Sequence, residues 1–166
     1  MMRRKDREMP GEFALAIADK CAYSVMATVN PDGTPYCIPL SMARESEWLY
    51  FHCAKEGQKI DNLRYGNRVC VSCVGDVKIT SGDFSTEFES AIINGTATEV
   101  TGREEKINAL RLICERYTPD DMPAFDEAVR RSLDLTGIWK IHIDGISGKR
   151  KKLDKDGKEM KYGRME

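Results

Sequence analysis

The stretch WLYFHCAKEGQKIDNLRYGNR, from Trp48 to Arg68, combines a strand, a glycine turn and a helix in the order that decides the fold. Residues 48–54 are mostly aromatic or apolar and predict a β-strand. Residues 55–57 predict a short turn ending at Gly57, and the residues that follow, up to Tyr65, predict a helix. A histidine, His52, falls near the end of the strand.

Lys59 lies in the first turn of this predicted helix, where the leading N–H groups have no acceptor within the helix. Such groups, together with a cation, favour the binding of a phosphate. A lysine is otherwise unfavourable here because the helix dipole repels positive charge, and an anionic ligand would remove that conflict. The alternative is a surface lysine on an ordinary turn, with Glu56 and Asp61 already satisfying the dipole. The local sequence leaves both interpretations open.

Composition indicates one domain with a substantial core, since the chain has 166 residues of which 41% are hydrophobic. A formal net charge of −1 gives no general attraction to nucleic acid or to a membrane. The six cysteines lie mostly in apolar patterns without the spacing of a secreted disulfide scaffold. The charged N-terminus MMRRKDREM precedes no apolar run, and no stretch is long enough for a membrane span. We therefore expect a reduced, cytoplasmic protein.

Alternating apolar residues between turn signals predict six or seven strands, mostly joined as hairpins, with three or four helices. Pro35 and Pro39 cannot donate hydrogen bonds to a neighbour, so their strand is predicted to be an edge or bulged strand. Antiparallel strands in this number favour a mainly β (α+β) fold, a closed barrel or a sandwich. The predicted strands are 23–30, 34–43, 48–54, 68–74, 78–80, 88–100 and 137–146, with turns at 31–33 and 44–47 and a loop at 82–86.

The helical segments outside the opening stretch have their own signals. Residues 13–20 predict a short amphipathic helix. Thr101, with Glu104 three residues later, predicts the capped start of a longer helix that ends before Pro119. A last helix near Pro123 is predicted to turn its apolar residues inward, namely Phe125, Val129 and Leu133.

The C-terminal stretch SGKRKKLDKDGKEMKYGRME begins at Ser147 and is rich in lysine, with few apolar residues. It predicts a solvated extension or an arm packed on a partner chain, and we favour the solvated extension. The chain is accordingly divided into a barrel domain at 1–146 and a basic polar tail at 147–166. A basic cluster at 149–152 suggests contact with nucleic acid, but interspersed acidic residues argue against it.

Several motifs do not form the sites they suggest. Cys70 and Cys73 have CxxC spacing, but side chains three apart on a strand point to opposite faces, so we expect no metal site there. No G-x-G-x-x-G follows a strand, no P-loop spacing is present and no G-x-S-x-G turn occurs. His52 cannot act as the base for Cys53, because neighbours in a strand point in opposite directions.

The chain resembles the pyridoxamine 5′-phosphate oxidase-like superfamily of FMN-binding split barrels. Trp48 to Arg68 is similar to its flavin-binding region, and His52-x-Ala54-x-x-Gly57-x-Lys59 is similar to the nitroimidazole-resistance, nitroreductase-like branch. Three other segments share this similarity, namely Arg3-Arg4-Lys5-Asp6-Arg7, Tyr36 with Ile38-Pro39-Leu40, and Ser90 to Gly95. The resemblance covers residues 2–100 well and the rest loosely. It implies an antiparallel split barrel that forms a homodimer, with FMN at the subunit interface.

The resemblance also implies individual site residues. Lys59 would bind the FMN phosphate with Gln58 beside it. His52 and Cys53 would line the ribityl and isoalloxazine region, and Phe51 is also assigned to the cofactor site. Ser90 would donate either to the phosphate or to the barrel backbone. The oxidases usually carry an arginine at Gln58, a lysine at Ser41 and a C-terminal Arg-x-His type motif, so pyridoxamine oxidation is not expected. The backbone near the flavin ring would come from Ile38, Pro39, Leu40 and Ser41.

Alternation along the strand at 48–54 gives two rows of side chains, Trp48, Tyr50 and His52 on one face and Leu49, Phe51 and Cys53 on the other. We expect one row to fill the barrel and the other to face the flavin or the partner subunit. His52 is then a catalytic candidate, although it could instead satisfy a buried carbonyl. The leading hypothesis is an FMN-dependent oxidoreductase that reduces a small nitroaromatic or quinone-like acceptor. The alternatives are a non-catalytic FMN- or haem-binding module and an interaction protein that uses its basic tail.

Overall fold

An antiparallel sheet forms the body of the protein. The computed structural model describes residues 2–80 and 84–162, and within them it contains eight strands and four α-helices, which confirms the predicted mainly β, α+β fold. The strands are β1 (Glu8–Met9), β2 (Ser24–Val29), β3 (Pro35–Leu40), β4 (Ala43–Glu45), β5 (Trp48–Cys53), β6 (Arg68–Thr80), β7 (Ser85–Glu99) and β8 (Gly137–Lys151). The helices are α1 (Gly11–Lys20), α2 (Gln58–Tyr65), α3 (Arg103–Tyr117) and α4 (Phe125–Ser132).

Seven of these strands follow one hydrogen-bonded path, in the order β3-β2-β6-β7-β8-β5-β4, and β1 adds to β8. The chain joins the two ends of this path directly, because β4 follows β3 after only Ser41 and Met42. One main core cluster takes side chains from both ends and from the middle of the path, as well as from α1 and α2. The sheet therefore curls around a shared interior, which is consistent with a split barrel. Fully buried members of this core include Met26, Phe51, Val71, Ile93 and Ile141.

The strand that contains Pro35 and Pro39 is an edge strand, as predicted, since β3 ends the hydrogen-bonded path. It stops at Leu40, however, and the prediction that it continues to Ala43 is wrong. The reason is Met42, whose backbone N–H and carbonyl bind the Tyr117 hydroxyl at 3.1 and 3.0 Å. Residues 43–45 form β4, so the turn predicted at 44–47 consists only of Ser46 and Glu47.

The strands predicted at 68–74 and 78–80 form one continuous strand, β6, which pairs with β7 along nearly its whole length. A register shift between Val74 and Val77 replaces the predicted break. Of the predicted loop at 82–86, residues 82 and 83 lie outside the described part of the chain, and Ser85 and Thr86 already belong to β7. Further along β7, Gly95 sits so close to β8 that an added Cβ would lie 2.4 Å from the carbonyl oxygen of His142.

The helices follow their apolar patterns more closely than their predicted caps. The longest helix, α3, starts at Arg103 after Gly102, and no side chain caps it, so the predicted cap at Thr101 is wrong. The prediction for α4 is confirmed, because Phe125, Val129 and Leu133 form a buried cluster.

The last strand does not end at Ile146. Residues 147–151 continue β8 and pair with residues 88–92 of β7, so this part of the predicted polar tail belongs to the sheet. Gly148 makes this possible, since an added Cβ would lie 3.0 Å from the Cβ of Ala14 on α1. The Arg150 guanidinium packs over the rings of Phe13 and Tyr162, with centroid distances of 5.6 and 5.3 Å.

Beyond β8, ion pairs attach the C-terminal segment to the N-terminus. Glu159 accepts two hydrogen bonds from Arg7, at 2.6 and 2.7 Å, and one from Lys161 at 2.9 Å. Arg4 and Lys161 both donate to Asp6. Arg7 in particular, followed by Lys161, lowers the pKa of Glu159 from 4.5 to about 2. Because the pKa is lowered on folding, the stabilisation is complete above pH 4.5 and is lost as the pH falls towards 2.

We expect Glu159→Gln to lower the melting temperature at pH 7 by about 2–4 °C, as partly exposed ion pairs contribute about 1 kcal/mol. The difference from the wild type should shrink between pH 4.5 and 2. Thermal unfolding followed by circular dichroism measures both. Glu115→Gln, on the exposed face of α3, is the control and should show no such pH-dependent loss. An unchanged melting temperature for Glu159→Gln at pH 7 would contradict the proposed role of this cluster.

Candidate functional site

The candidate site lies where β5 ends and α2 begins, as the opening stretch of sequence predicts. The strand ends at Cys53, one residue earlier than predicted, and the helix starts at Gln58. Gly57 precedes the helix with φ +115°, a conformation that other residues rarely adopt. Its carbonyl accepts from Ile60 N–H at 2.8 Å and from Asp61 N–H at 3.1 Å. The N–H groups of Gln58 and Lys59 precede these and belong to the first helical turn, where donors are available to a ligand.

A hydrogen-bonded amide network fixes this end of α2 against the end of β2. Asn62 is 1% exposed and donates to Thr28 Oγ1 at 3.0 Å and to Asn30 Oδ1 at 2.7 Å. Gln58 donates to the same Asn30 oxygen at 3.1 Å. This network was not predicted from the sequence, although an asparagine between Ile60 and Leu63, on the buried side of a short helix, is a usable signal. The network sets the position of the helix start and turns the Gln58 side chain towards Asn30.

Lys59 is half-buried, and its ammonium lies 5.6 Å from the centre of the Phe51 ring. The Lys59 charge also acts electrostatically on the side chains of His52 and Cys53. Desolvation, followed by the Lys59 charge, lowers the pKa of His52 below its ordinary value of 6.5, so the imidazole is mainly neutral at pH 7. Burial raises the pKa of the Cys53 thiol, and Lys59 only partly opposes this. The structure thus brings together four of the predicted site residues, namely Phe51, His52, Cys53 and Lys59.

The two rows of β5 have different environments. Leu49 and Phe51 are buried in the barrel core, which confirms that one row fills the barrel. In the other row, Trp48 and Tyr50 pack beneath α3, so the expectation that they face a flavin or a partner subunit is wrong. α3 covers them because Glu105 binds Lys140 of β8 at 2.6 Å, beside the Trp48 ring. Only His52 in this row is exposed, opposite Ile138 at the start of β8.

The predicted residues of β3 divide between the two faces of the sheet. Ile38 and Leu40 pack against the same core cluster as Phe51 and Cys53. Pro39 is exposed on the opposite face, and Ser41 is exposed just after the strand.

Ser90 is separated from the other candidates within one chain. It pairs with Lys149 near the far end of β8, whereas His52 pairs with Ile138 near its beginning. A single chain therefore does not bring Ser90 to the site at α2.

The CxxC residues point to opposite faces of β6, as their spacing on a strand predicts. Cys73 is buried in the barrel core, and Cys70 is half-buried on the other side. Across residues 2–80 and 84–162, no group of three or more histidine, cysteine or acidic side chains is arranged to hold a metal ion. Nor does any helix in those ranges have the length and apolar character needed to cross a membrane.

The family model of pyridoxamine 5′-phosphate oxidases matches residues 13–150. The chain belongs to this family. The match extends through β8, well beyond the residues that carried the resemblance in the sequence, and it confirms that resemblance. No curated protein sequence matches the chain.

Solved structures with similar folds agree with the architecture described above. A proposed 5-nitroimidazole antibiotic resistance protein from Bacteroides thetaiotaomicron is 28% identical, with 86% of each chain covered and a TM-score of 0.73. The FAD and heme binding protein from Mycobacterium smegmatis is 20% identical over 96% of this chain and 84% of its own, with a TM-score of 0.76. Flavocytochrome Anf3 from Azotobacter vinelandii is 18% identical over 100% and 84%, with a TM-score of 0.72. The last two similarities concern the fold alone.

Proposed function

We propose that this protein is a flavoprotein that binds FMN at the interface of a homodimer and reduces a small nitroaromatic or quinone-like acceptor. The observation that carries the proposal is the position of Lys59 in the first turn of α2, beside Phe51, His52 and Cys53. Membership of the pyridoxamine 5′-phosphate oxidase family supports a flavin. The similarity to a proposed 5-nitroimidazole antibiotic resistance protein supports a nitroaromatic acceptor.

The residues at the start of α2 fit a phosphate. The first-turn N–H groups and the Lys59 ammonium supply donors and positive charge, which together suit a dianion. Gln58 contributes its backbone N–H, because its side chain is held by Asn30. The amide network around Asn62 keeps these donors in place before any ligand arrives, which lowers the entropic cost of binding.

Bound flavin would supply the redox chemistry, passing electrons from a donor to the acceptor. The role of His52 in that reaction is to donate a hydrogen bond to the acceptor, since its exposed imidazole stands at the edge of the proposed pocket. Its lowered pKa keeps the imidazole neutral at pH 7, with one N–H available. As the pH falls through this lowered pKa, a growing fraction of His52 is protonated, and the same group then becomes a proton donor as well.

A homodimer would cover the outer face of the sheet, where a band of apolar and small side chains crosses adjacent strands. The register aligns Pro39, Val25, Ser72, Ile92 and Ser147 across five adjacent strands. Neighbouring apolar side chains on this face are well exposed, with Val29 at 50% and Val74 at 52%. Patches of this kind mark interaction surfaces.

Ser90 supports the same assembly. It lies on the outer face, next to Ile92, and far from the α2 of its own chain. In a two-fold dimer built on this face, Ser90 would approach the site of the partner subunit. This arrangement gives a reason for a predicted site residue that a single chain leaves isolated.

Purification without added ligand tests the cofactor directly, because the protein should be yellow and should release FMN on denaturation. If the protein released FAD or showed a haem spectrum, that group would be its cofactor in place of FMN.

We expect Lys59→Ala to weaken FMN affinity by about tenfold or more, since a charge-assisted phosphate contact is lost. Lys55→Ala is the matched control, because that ammonium is bound by the Asp134 carbonyl at 2.5 Å. Equal FMN affinities, measured by fluorescence titration of the two apoproteins, would remove Lys59 from the site.

The role of His52 is tested on the oxidative half of the reaction alone. Protein reduced with dithionite is mixed anaerobically with a nitroimidazole or a quinone, so the result does not depend on the natural electron donor. We expect His52→Ala to retain flavin but to be reoxidised about tenfold or more slowly. It should also lose the acceleration that we expect of the wild type as the pH falls through the lowered pKa of His52. His142→Ala is the control, since that imidazole binds Asp144 at 2.8 Å. Unchanged rates in His52→Ala with every acceptor would exclude the role, and wild-type protein that reduces none would indicate a binding module.

The assembly is tested with one charge on the outer face. Ile92→Lys should convert a dimer to a monomer in sedimentation equilibrium and should also reduce FMN retention. Leu135→Lys is the control, because this residue is 77% exposed but lies between α4 and β8. A wild-type monomer that retains FMN, or an Ile92→Lys dimer, would contradict the proposed interface.

A further inference from the structure

A second cluster of reactive groups lies inside the barrel, apart from the end of β5. Cys21 follows the last residue of α1, Ser24 starts β2 and Cys73 lies in β6. The Ser24 hydroxyl bridges the two sulfurs, at 3.5 Å from Cys21 Sγ and 3.4 Å from Cys73 Sγ. Both cysteines are buried, at 3% and 0% exposure.

The Arg116 side chain of α3 extends into this cluster, and its hydrogen-bond partners there do not neutralise its positive charge. Its guanidinium donates to the carbonyl oxygens of Met42, Ala18 and Cys21 at 2.7, 3.0 and 2.7 Å, and it reaches Cys21 Sγ at 3.8 Å. Carbonyl groups are neutral, and among the described residues no carboxylate pairs with Arg116. A partly buried cation in such a position favours an anion beside it, and the Cys21 sulfur is the group placed to become one.

We propose that Cys21 and Cys73 form a redox-active thiol pair that hydrogen peroxide converts to a disulfide. In the first step the Cys21 thiolate attacks one peroxide oxygen and the O–O bond breaks. This gives a sulfenic acid at Cys21, and the departing hydroxide takes up a proton to form water. In the second step the Cys73 sulfur attacks the Cys21 sulfur, its proton passes to the leaving hydroxyl, and a second water forms. Overall, the two thiols lose two electrons, and one molecule of hydrogen peroxide is reduced to two waters.

The electrostatics suit these unequal roles. The neighbouring Cys73 thiol and, after it, the contacts with Ser24 and Arg116 lower the pKa of the Cys21 thiol. The same neighbouring sulfur and its own burial raise the pKa of Cys73, which stays protonated. Access comes from the end of α1, because Lys20 and Ala22 on either side of Cys21 are exposed and helix ends open locally. Hydrogen peroxide is little larger than water and needs only a small opening.

The test uses the full protein, reduced, freed of reductant and then treated with hydrogen peroxide. Remaining thiols are blocked with N-ethylmaleimide in denaturant, and the peptides are identified by mass spectrometry. A peptide pair linked through Cys21 and Cys73 should form, with the other four of the six cysteines still blocked as thiols. Cys73→Ser should instead accumulate a sulfenic acid at Cys21 that dimedone traps. Cys21→Ser should yield neither product.

Arg116 and Cys37 provide the controls. Cys37→Ser removes an exposed thiol on β3 and should leave the yield of linked peptide unchanged. Arg116→Met should slow linkage at pH 7 by about tenfold or more, because the thiolate fraction falls. Arg116→Lys keeps the charge, so its linkage rate should lie between those of the wild type and Arg116→Met. This variant preserves the test if the methionine variant does not fold. The proposal is overturned if Cys21 and Cys73 remain thiols at a peroxide concentration that oxidises Cys37, or if neither Arg116 variant slows the linkage.

Discussion

Strand β5 is packed on both faces, and the position of the candidate site depends on this constraint. Leu49 and Phe51 fill the barrel, while Trp48 and Tyr50 are covered by α3. A slip by one residue would exchange the two rows, so that Trp48 and Tyr50 would have to fit the barrel interior and both faces of the strand would have to repack. The end of β5 is therefore set, and with it the first residue beyond the cover of α3, which is His52. Gly57 then reverses the chain so that α2 begins close to the end of the strand.

The packing of α3 also connects the two ends of the sheet path. Tyr117 binds both backbone groups of Met42, and Arg116 binds the Met42 carbonyl as well. Met42 lies in the short connection between β3 and β4, which are the two edge strands. These hydrogen bonds satisfy the backbone groups of Met42, which the hydrogen-bond ladders of β3 and β4 do not reach. They also fix the predicted site segment that begins at Ile38. The same arginine caps α1 through Ala18 and Cys21, so one side chain of α3 holds three elements together.

Local chemistry could be predicted from the sequence, and pairing between distant segments could not. The turn at Gly57, the edge strand with Pro35 and Pro39, and the inward face of α4 each depend on neighbouring residues, and each was predicted correctly. The extension of β8 was missed because its lysines resemble a solvated tail. Its place in the sheet depends on Gly148 meeting Ala14 and on Arg150 covering Phe13. The Asn62 network and the separation of Ser90 from His52 depend in the same way on register, which composition does not reveal.

The site at α2 differs from that of the family's oxidases in how it carries charge, and the structure gives a physical reason. The oxidases usually have an arginine where this chain has Gln58, and here that amide is directed to Asn30. Positive charge at the helix start therefore rests on Lys59, supported by neutral backbone donors. A lysine acts as a point charge, without the paired donors of a guanidinium, so it holds a phosphate with less geometric restraint. The rigidity that an arginine would supply comes instead from Asn62 and Asn30, which position the backbone donors rather than the charge. In the FMN site that we propose, such an arrangement would select for the location of an anion more than for its shape.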